Sequence, residues 1–202
     1  MNNNMIELIG TVDKDYEYVY SAYGENFYEL IVSVKRTSGN LDILKVICSD
    51  RIVNINKSIE NKEVSISGSI RTRNIKNNDK VHLNVYVYAE SVEILDIKND
   101  YIGLNEVIIN GYICKNSGLR DTPLKRQICD IIVATNRLNG TSDYIPCICW
   151  GKNAKYVSNL DIGTNIKITG RLQSREYMKN NIIKVAYELS CQTIELLDNI
   201  YN

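Results

Sequence analysis

The chain has 202 residues, 44% apolar and 24% charged, with 24 basic and 24 acidic side chains and a formal net charge of zero. No apolar run approaches the ~18 to 20 residues that cross a bilayer as a helix, and the opening Met1 to Met5 is asparagine-rich rather than basic and then apolar as in a secretion signal. These features exclude a helical membrane protein and lead us to expect a cytoplasmic globular chain. The balance of charge hides an asymmetry: residues 1–100 hold 12 basic and 15 acidic side chains, whereas residues 101–202 hold 12 and 9. The second half is therefore the expected polyanion contact. Of the six cysteines, Cys48, Cys129, Cys147, Cys149 and Cys191 sit in apolar, strand-like runs without Cys-x-x-Cys spacing, which reads as buried small hydrophobes. Cys147 and Cys149 share a strand face, but the single histidine, His82, lies in the other half, so no metal site is expected.

The pattern is written twice. Gly10 aligns with Gly111, Arg36 with Arg137, and Asp42–Asp50 with Asp143–Gly151 at one constant offset; after a one-residue insertion Gly68 aligns with Gly170 and Arg73 with Arg175. A unit of about a hundred residues is domain-sized and carries its own core, which gives domains 1–98 and 99–202. In chain order, each copy reads as five strands with a short helix between the third and fourth. In the second copy the strands fall at 105–114, 126–137, 142–150, 166–177 and 182–197, rich in Ile, Val, Tyr and Thr. The alternation of Ile166, Ile168, Gly170 and Leu172 with polar residues is the period of a half-buried strand; Val64, Ile66, Gly68 and Ile70 repeat it in the first copy. Ala154, Val157 and Leu160 have helical spacing, with Gly163 as the stop. Glycines 111 and 170, in mid-strand, mark bends that a small barrel needs to close. The stretch Leu95–Leu104 is a short linker with one glycine and no proline, which predicts tightly coupled halves.

The expected fold class is all-β: two tandem five-stranded OB-fold barrels, a plan that binds oligonucleotides or oligosaccharides on one face. Other five-stranded barrels share the pattern. In the third strand, Tyr144 and Trp150 are six residues apart, hence on one face and roughly 20 Å from each other at ~3.3 Å per residue. Tyr177 extends the outer face of the fourth strand beyond Lys167, Arg171 and Arg175. Lys152 and Lys155 stand at the helix start and first turn, where free amides would also favour a phosphate. Flat rings for base stacking interleaved with cations for phosphates suit a single strand bound without sequence preference. Tyr112, in the first strand, and Arg137, at the end of the second, complete the expected set; that the first copy keeps the equivalent Arg36 weakens Arg137 as a marker.

Four stretches, NEVIINGYI at 105–113, DIIVATNR at 130–137, DYIPCICWGKNAKYV at 143–157 and GTNIKITGRLQSREY at 163–177, together resemble the bacterial single-stranded-DNA-binding protein (SSB) family. The resemblance implies an OB-fold in the second copy and base stacking at Tyr144, Trp150 and Tyr177. It also implies roles in DNA replication, recombination or repair, possible contacts with proteins of those processes, and, because family members often assemble four barrels, a homodimer of this two-barrel chain. Relatives usually recruit partners through an acidic tail; this sequence ends at LDNIYN, so recruitment of that kind is not expected. No cofactor and no catalytic residues are expected, since neither a nucleophile-and-base pair nor a phosphate-binding Gly-x-x-x-x-Gly-Lys loop occurs.

The first copy keeps the apolar frame and loses the rings: Ile43, Ser49 and Ile75 stand where the second has Tyr144, Trp150 and Tyr177, and Ser65 and Ser69 replace Lys167 and Arg171. Residues 1–98 are thus expected to serve assembly or partner binding and to bind strands weakly or not at all. Its own tyrosines, Tyr16, Tyr18, Tyr20 and Tyr23 after the first strand and Tyr86 and Tyr88 beside His82 on the last, fit a protein interface better than a relocated stacking surface, though tyrosine suits both. The rival overall reading is a tandem OB adaptor or primosome-type accessory protein that mainly binds another replication protein.

Overall fold

The computed structural model describes residues 3–77, 80–95, 103–179 and 182–197. Its first five strands are β1 (Asn4–Ala22), β2 (Glu25–Lys35), β3 (Leu41–Ser49), β4 (Glu63–Asn77) and β5 (Lys80–Leu95). β1 pairs with both β2 and β4, β2 with β3, β3 in parallel with β5, and β5 with β4. The chain of pairings returns to its start, so the strands close into a barrel and leave no continuous open edge. In the second half β6 (Leu104–Asp121), β7 (Gln127–Asn136), β8 (Ser142–Trp150), β9 (Asn165–Lys179) and β10 (Ile182–Leu196) make the same five pairings in the same senses. Among the described residues the protein is all-β apart from α1 (Gly151–Val157) between β8 and β9.

Alternation decides which face of each strand turns inward. Leu30, Val32, Leu44, Val46, Ile66, Ile70, Val85 and Val87 fill the first half, and Ile131, Val133, Ile145, Cys147, Ile166, Ile168, Leu172 and Leu189 the second, in one connected apolar cluster. Glycine is required where two strands cross closely at the bend: a Cβ on Gly170 would meet the Ser190 carbonyl oxygen at 2.2 Å, and one on Gly68 the Tyr88 carbonyl oxygen at 2.1 Å. β4 and β5 shift register at Ser67/Gly68, as β9 and β10 do at Cys191/Thr193, which is the irregularity a barrel corner needs.

One expectation is corrected. No helix forms between β3 and β4; residues 50–62 run as successive turns. The short polar side chains there capture their own backbone, with Asn54 Oδ1 accepting from the Asn56 amide at 3.1 Å and Ser58 Oγ from the Glu60 amide at 3.3 Å, an alternative to helical bonding that β-branched Ile52, Val53 and Ile55 do not oppose. The barrel is still plugged, because Ile59 is buried and Ile52 and Val53 pack on the core. In the second half α1 does this with Ala154 and Val157, and it ends before Leu160, which packs partly buried in the turn that follows. Most of the linker, residues 96–102, lies outside the described residues.

The two halves are joined by strand pairing. β1 and β6 run antiparallel with Ile6 opposite Val107, and these two are equivalent residues in the internal repeat. A pseudo-two-fold axis therefore passes between them, and all ten strands belong to one sheet. Where the β1–β4 and β6–β9 ladders stop, at Ile6/Gly68 and Val107/Gly170, a side-chain amide continues them: Asn4 exchanges two hydrogen bonds with the Ile70 backbone at 2.7 and 2.9 Å, and its equivalent Asn105 does the same with Leu172 at 2.7 and 2.9 Å. Replacing Gly170 by alanine forces the β9–β10 crossing apart and is expected to cost about 1–3 kcal/mol or more, read as a lower denaturant midpoint; an unchanged midpoint would show that the bend adapts freely.

Candidate nucleic-acid interface

Strand register brings four of the expected aromatics onto the outside of the second half. Tyr112 on β6 lies opposite Ala134 on β7, which lies opposite Tyr144 on β8, so the two rings flank a small residue on one outer face. Six residues further along β8, Trp150 faces Ile128. Tyr177 stands on β9 opposite Lys184. Relative exposures of 39% for Tyr112, 49% for Tyr144, 38% for Trp150 and 36% for Tyr177 exclude a core role for any of them. Trp150 also caps α1 without a side-chain hydrogen bond and lines an open cleft with Lys125, Arg126, Gln127 and Asp121.

The expected cations divide into two groups. Arg175 remains at the surface with its Cζ 5.8 Å from the Tyr177 ring centroid, a cation–π distance, and its Nε 3.3 Å from Glu188. Lys167 is half-buried opposite Glu195 at 3.9 Å, and Lys152 and Lys155 are exposed on α1. Arg137 and Arg171, in contrast, belong to the junction between the halves, which corrects their place in the expected set of strand-contacting residues. Sequence reasoning missed Lys125 and Arg126, which lie in the β6–β7 hairpin; the run Thr122-Pro-Leu-Lys-Arg was the available signal, but only the fold carries it to Trp150.

At the junction, the fully buried Asp143 accepts from Arg137 with both oxygens, Nε at 2.7 Å and Nη2 closer still, from Arg71 Nη1 of the other half at 3.0 Å and from the Thr72 amide at 2.6 Å. The Tyr144 amide in turn donates to Thr72 Oγ1 at 2.8 Å. Burial alone would push the Asp143 carboxyl up; the bonds from Arg137, Thr72 and Arg71 outweigh it and hold the group below its ordinary value of 3.8. The pseudo-symmetric clasp has Asp42 accepting from Arg36 and from the Ser174 amide at 3.2 Å, while the Ile43 amide donates to Ser174 Oγ at 2.8 Å. Arg171 completes it, half-buried with Nε 3.9 Å from Asp42; burial and the neighbouring Arg36 lower its pKa against the pull of Asp42.

The remaining expected residues separate as well. Cys129, Cys147, Cys149 and Cys191 are buried together, the Cys149 thiol pushed far up by its hydrogen bond to Cys191 and by burial, so these are unreactive core thiols. Among the described residues, no group of three or more His, Cys, Asp or Glu side chains converges as a metal site. His82, on β5 with Tyr86 and Tyr88, lines a groove with Lys45, Leu83, Pro146, Tyr177 and Lys184.

Residues 104–197 match the model of the single-strand binding protein family. A single-stranded DNA-binding protein 1 of Streptococcus pyogenes is 32% identical over 111 residues, which span 49% of this chain and 85% of that protein. The chain belongs to the single-strand binding protein family. Within the family, single-stranded DNA-binding protein 3 of Listeria innocua is 31% identical over 107 residues, covering 49% of this chain and 67% of the relative. The wild-type single-stranded DNA binding protein from Thermus aquaticus shares the fold over nearly the whole chain, with a TM-score of 0.78 at 19% identity and coverage of 97% and 93%. The closed five-stranded barrel is accordingly of the OB type, and proteins of this SSB family are not enzymes.

Because Asp143 is held below its ordinary pKa, its stabilising contribution is complete above about 3.8 and is lost as the pH falls through the lowered folded value. Asp143→Ala leaves Arg137 and Arg71 without their buried counter-charge and is expected to cost about 3–5 kcal/mol at neutral pH. In urea denaturation the variant's deficit narrows toward acid; a constant deficit down to strongly acidic pH would contradict the assignment.

Proposed function

We propose that the chain binds single-stranded DNA without sequence preference, protecting unpaired strands in replication, recombination or repair in the cytoplasm. The observation that carries this reading is the set of exposed rings, Tyr112, Tyr144, Trp150 and Tyr177, on the outer face of a barrel whose core needs none of them. Each offers a π-face to a base, at about 1–3 kcal/mol per stacked base. Arg175, Lys167, Lys152 and Lys155, joined by Lys125 and Arg126, follow the phosphates. Arg137 and Arg171 act instead by fixing β8 and β9 at the junction.

In this reading residues 99–202 are an OB-fold domain that holds the strand, and residues 1–98 are a second OB-fold, degenerate at the stacking positions, that serves assembly. Its part in assembly is supported by the β1–β6 ladder and by the hydroxyl of Thr72 and guanidinium of Arg71, which brace the start of β8. A homodimer bringing four barrels together rests on the family resemblance; sedimentation equilibrium is expected to give about twice the chain mass of 23.1 kDa, and a single-chain mass at micromolar concentration removes that part.

Trp150 is the only tryptophan, so strand binding has an internal reporter. Oligothymidine is expected to quench its fluorescence strongly, with affinity falling as salt rises because counterions are released from the strand. Trp150→Ala is expected to weaken binding about 10- to 100-fold, in line with one lost stack of ~1–3 kcal/mol. Emission indifferent to oligothymidine, with the alanine variant binding as wild type, would instead favour the adaptor reading.

A further inference from the structure

The outer face of the first half is not bare. An irregularity in β1 between Tyr18 and Tyr20 separates its tyrosines: Tyr16 and Tyr18 meet Tyr28 edge-on at 6.4 and 5.9 Å, whereas Tyr20 turns to Phe27. Tyr20 stacks on Phe27 with ring centroids 4.7 Å apart at 18°, and Phe27, only 6% exposed, forms the floor beneath Tyr20 and Tyr88, the latter at 6.2 Å. Arg71 lies over the Tyr88 ring at 5.9 Å and sits opposite Tyr86 across the β4–β5 ladder. Arg73, next outward on β4, is exposed and close enough to act electrostatically on Tyr20 and Tyr86.

The second half carries nothing comparable at these places. The residue opposite Ile128 is Arg120, and the β9–β10 pairs are Gln173 with Glu188 and Arg171 with Ser190. The two halves have therefore placed rings at different positions of the same outer surface. The two surfaces also meet. Arg71 and Thr72 bond Asp143 and Tyr144 directly, so the cations of β4 lie between the Tyr144 end of the second half and the tyrosines of the first.

We propose that Tyr20, Tyr86 and Tyr88, with the exposed Arg73 as their cation and Arg71 positioning the Tyr88 ring from its bond to Asp143, form a second contact surface for unpaired nucleotides, which takes the strand as it leaves Tyr144. This rests on the strand-binding reading of the second half and extends it across the junction. It revises the expectation of little strand binding by the first copy, and for Tyr20, Tyr86 and Tyr88 it takes the relocated stacking surface over the protein interface. Charge at this patch favours a polyanion over an acidic or neutral protein partner: of the acids that act on Tyr86 and Tyr88, Asp143 is held by Arg137 and Arg71 and Glu25 by Arg51 at 3.2 Å and by Ser49 Oγ at 2.6 Å, which leaves Glu90, while Arg73 is presented to solvent.

The test uses the full chain with two oligothymidines, one of about 10 nucleotides, within the ~4–16 occupied per OB-fold, and one of about 30. Trp150 quenching reads the second half, and anisotropy of the labelled oligonucleotide reads total binding. Two variants are compared, Tyr86→Ala with Tyr88→Ala, and separately Arg73→Glu, which touches no core residue and reports even where the tyrosine pair unsettles the barrel. For the short strand, quenching is expected to be unchanged; for the long strand, affinity is expected to fall tenfold or more in both variants. Wild-type affinity of both variants for the long strand overturns the proposal, and leaves the tyrosines to a protein contact. If wild-type Trp150 never responds while the variants still lose the long strand, the second-half reading fails and this one stands.

Discussion

The antiparallel pairing of β1 with β6 is the constraint on which the remaining geometry depends. It sets Ile6 opposite its own equivalent, Val107, and pairs the flanking residues symmetrically about them, the arrangement of an isologous dimer contact built within one chain. Such a contact presents each feature twice, so the strand ends that overrun the ladder meet the other half at two related places. There the exposed backbone of β4 and β9 needs partners, and Asp143 and Asp42 provide them by accepting the Thr72 and Ser174 amides. A carboxylate buried in this way is stable only with counter-charge, which is why Arg137 and Arg36 point to the junction rather than to solvent.

This accounts for how the cations are distributed. An arginine at the end of the second strand looks, in one dimension, like one more cation for a phosphate. In three dimensions it is two hydrogen bonds from a buried aspartate. Its presence in both halves fits a structural duty that both must perform. Arg175 has no such duty, and its place over Tyr177 leaves the guanidinium at the surface, where a phosphate can reach it.

Much of the architecture was legible from local patterns. The alternation through Ile166, Ile168 and Leu172 specified β9, the six-residue spacing placed Tyr144 and Trp150 on one face, and the mid-strand glycines marked the corners, because each depends only on residues close in sequence. The helix in the first half was misread: apolar spacing at Val53 and Ile59 resembles that at Ala154 and Leu160, but Asn54 and Ser58 divert the backbone. The clasps were not legible. Thr72 and Asp143 are 71 residues apart, and no periodicity connects them. For the same reason Lys125 and Arg126 reach Trp150 only once the β6–β7 hairpin has folded back beside the end of β8.

The internal repeat also shows where a small barrel is free to change. Inward positions are fixed by packing and the corners by close backbone approach, so the apolar alternation and Gly68/Gly170 persist in both halves. Outward positions carry neither constraint. A ring there costs little stability whichever strand bears it, and it keeps its capacity to stack so long as it lies flat on the surface with a cation beside it. Losing Tyr144, Trp150 and Tyr177 from one half while Tyr20, Tyr86 and Tyr88 arise on neighbouring strands is thus permitted by the fold. Comparing aligned positions registers only the loss; the gain becomes visible when the strands are closed into a barrel and Arg71, held by Asp143 across the junction, is found against the Tyr88 ring.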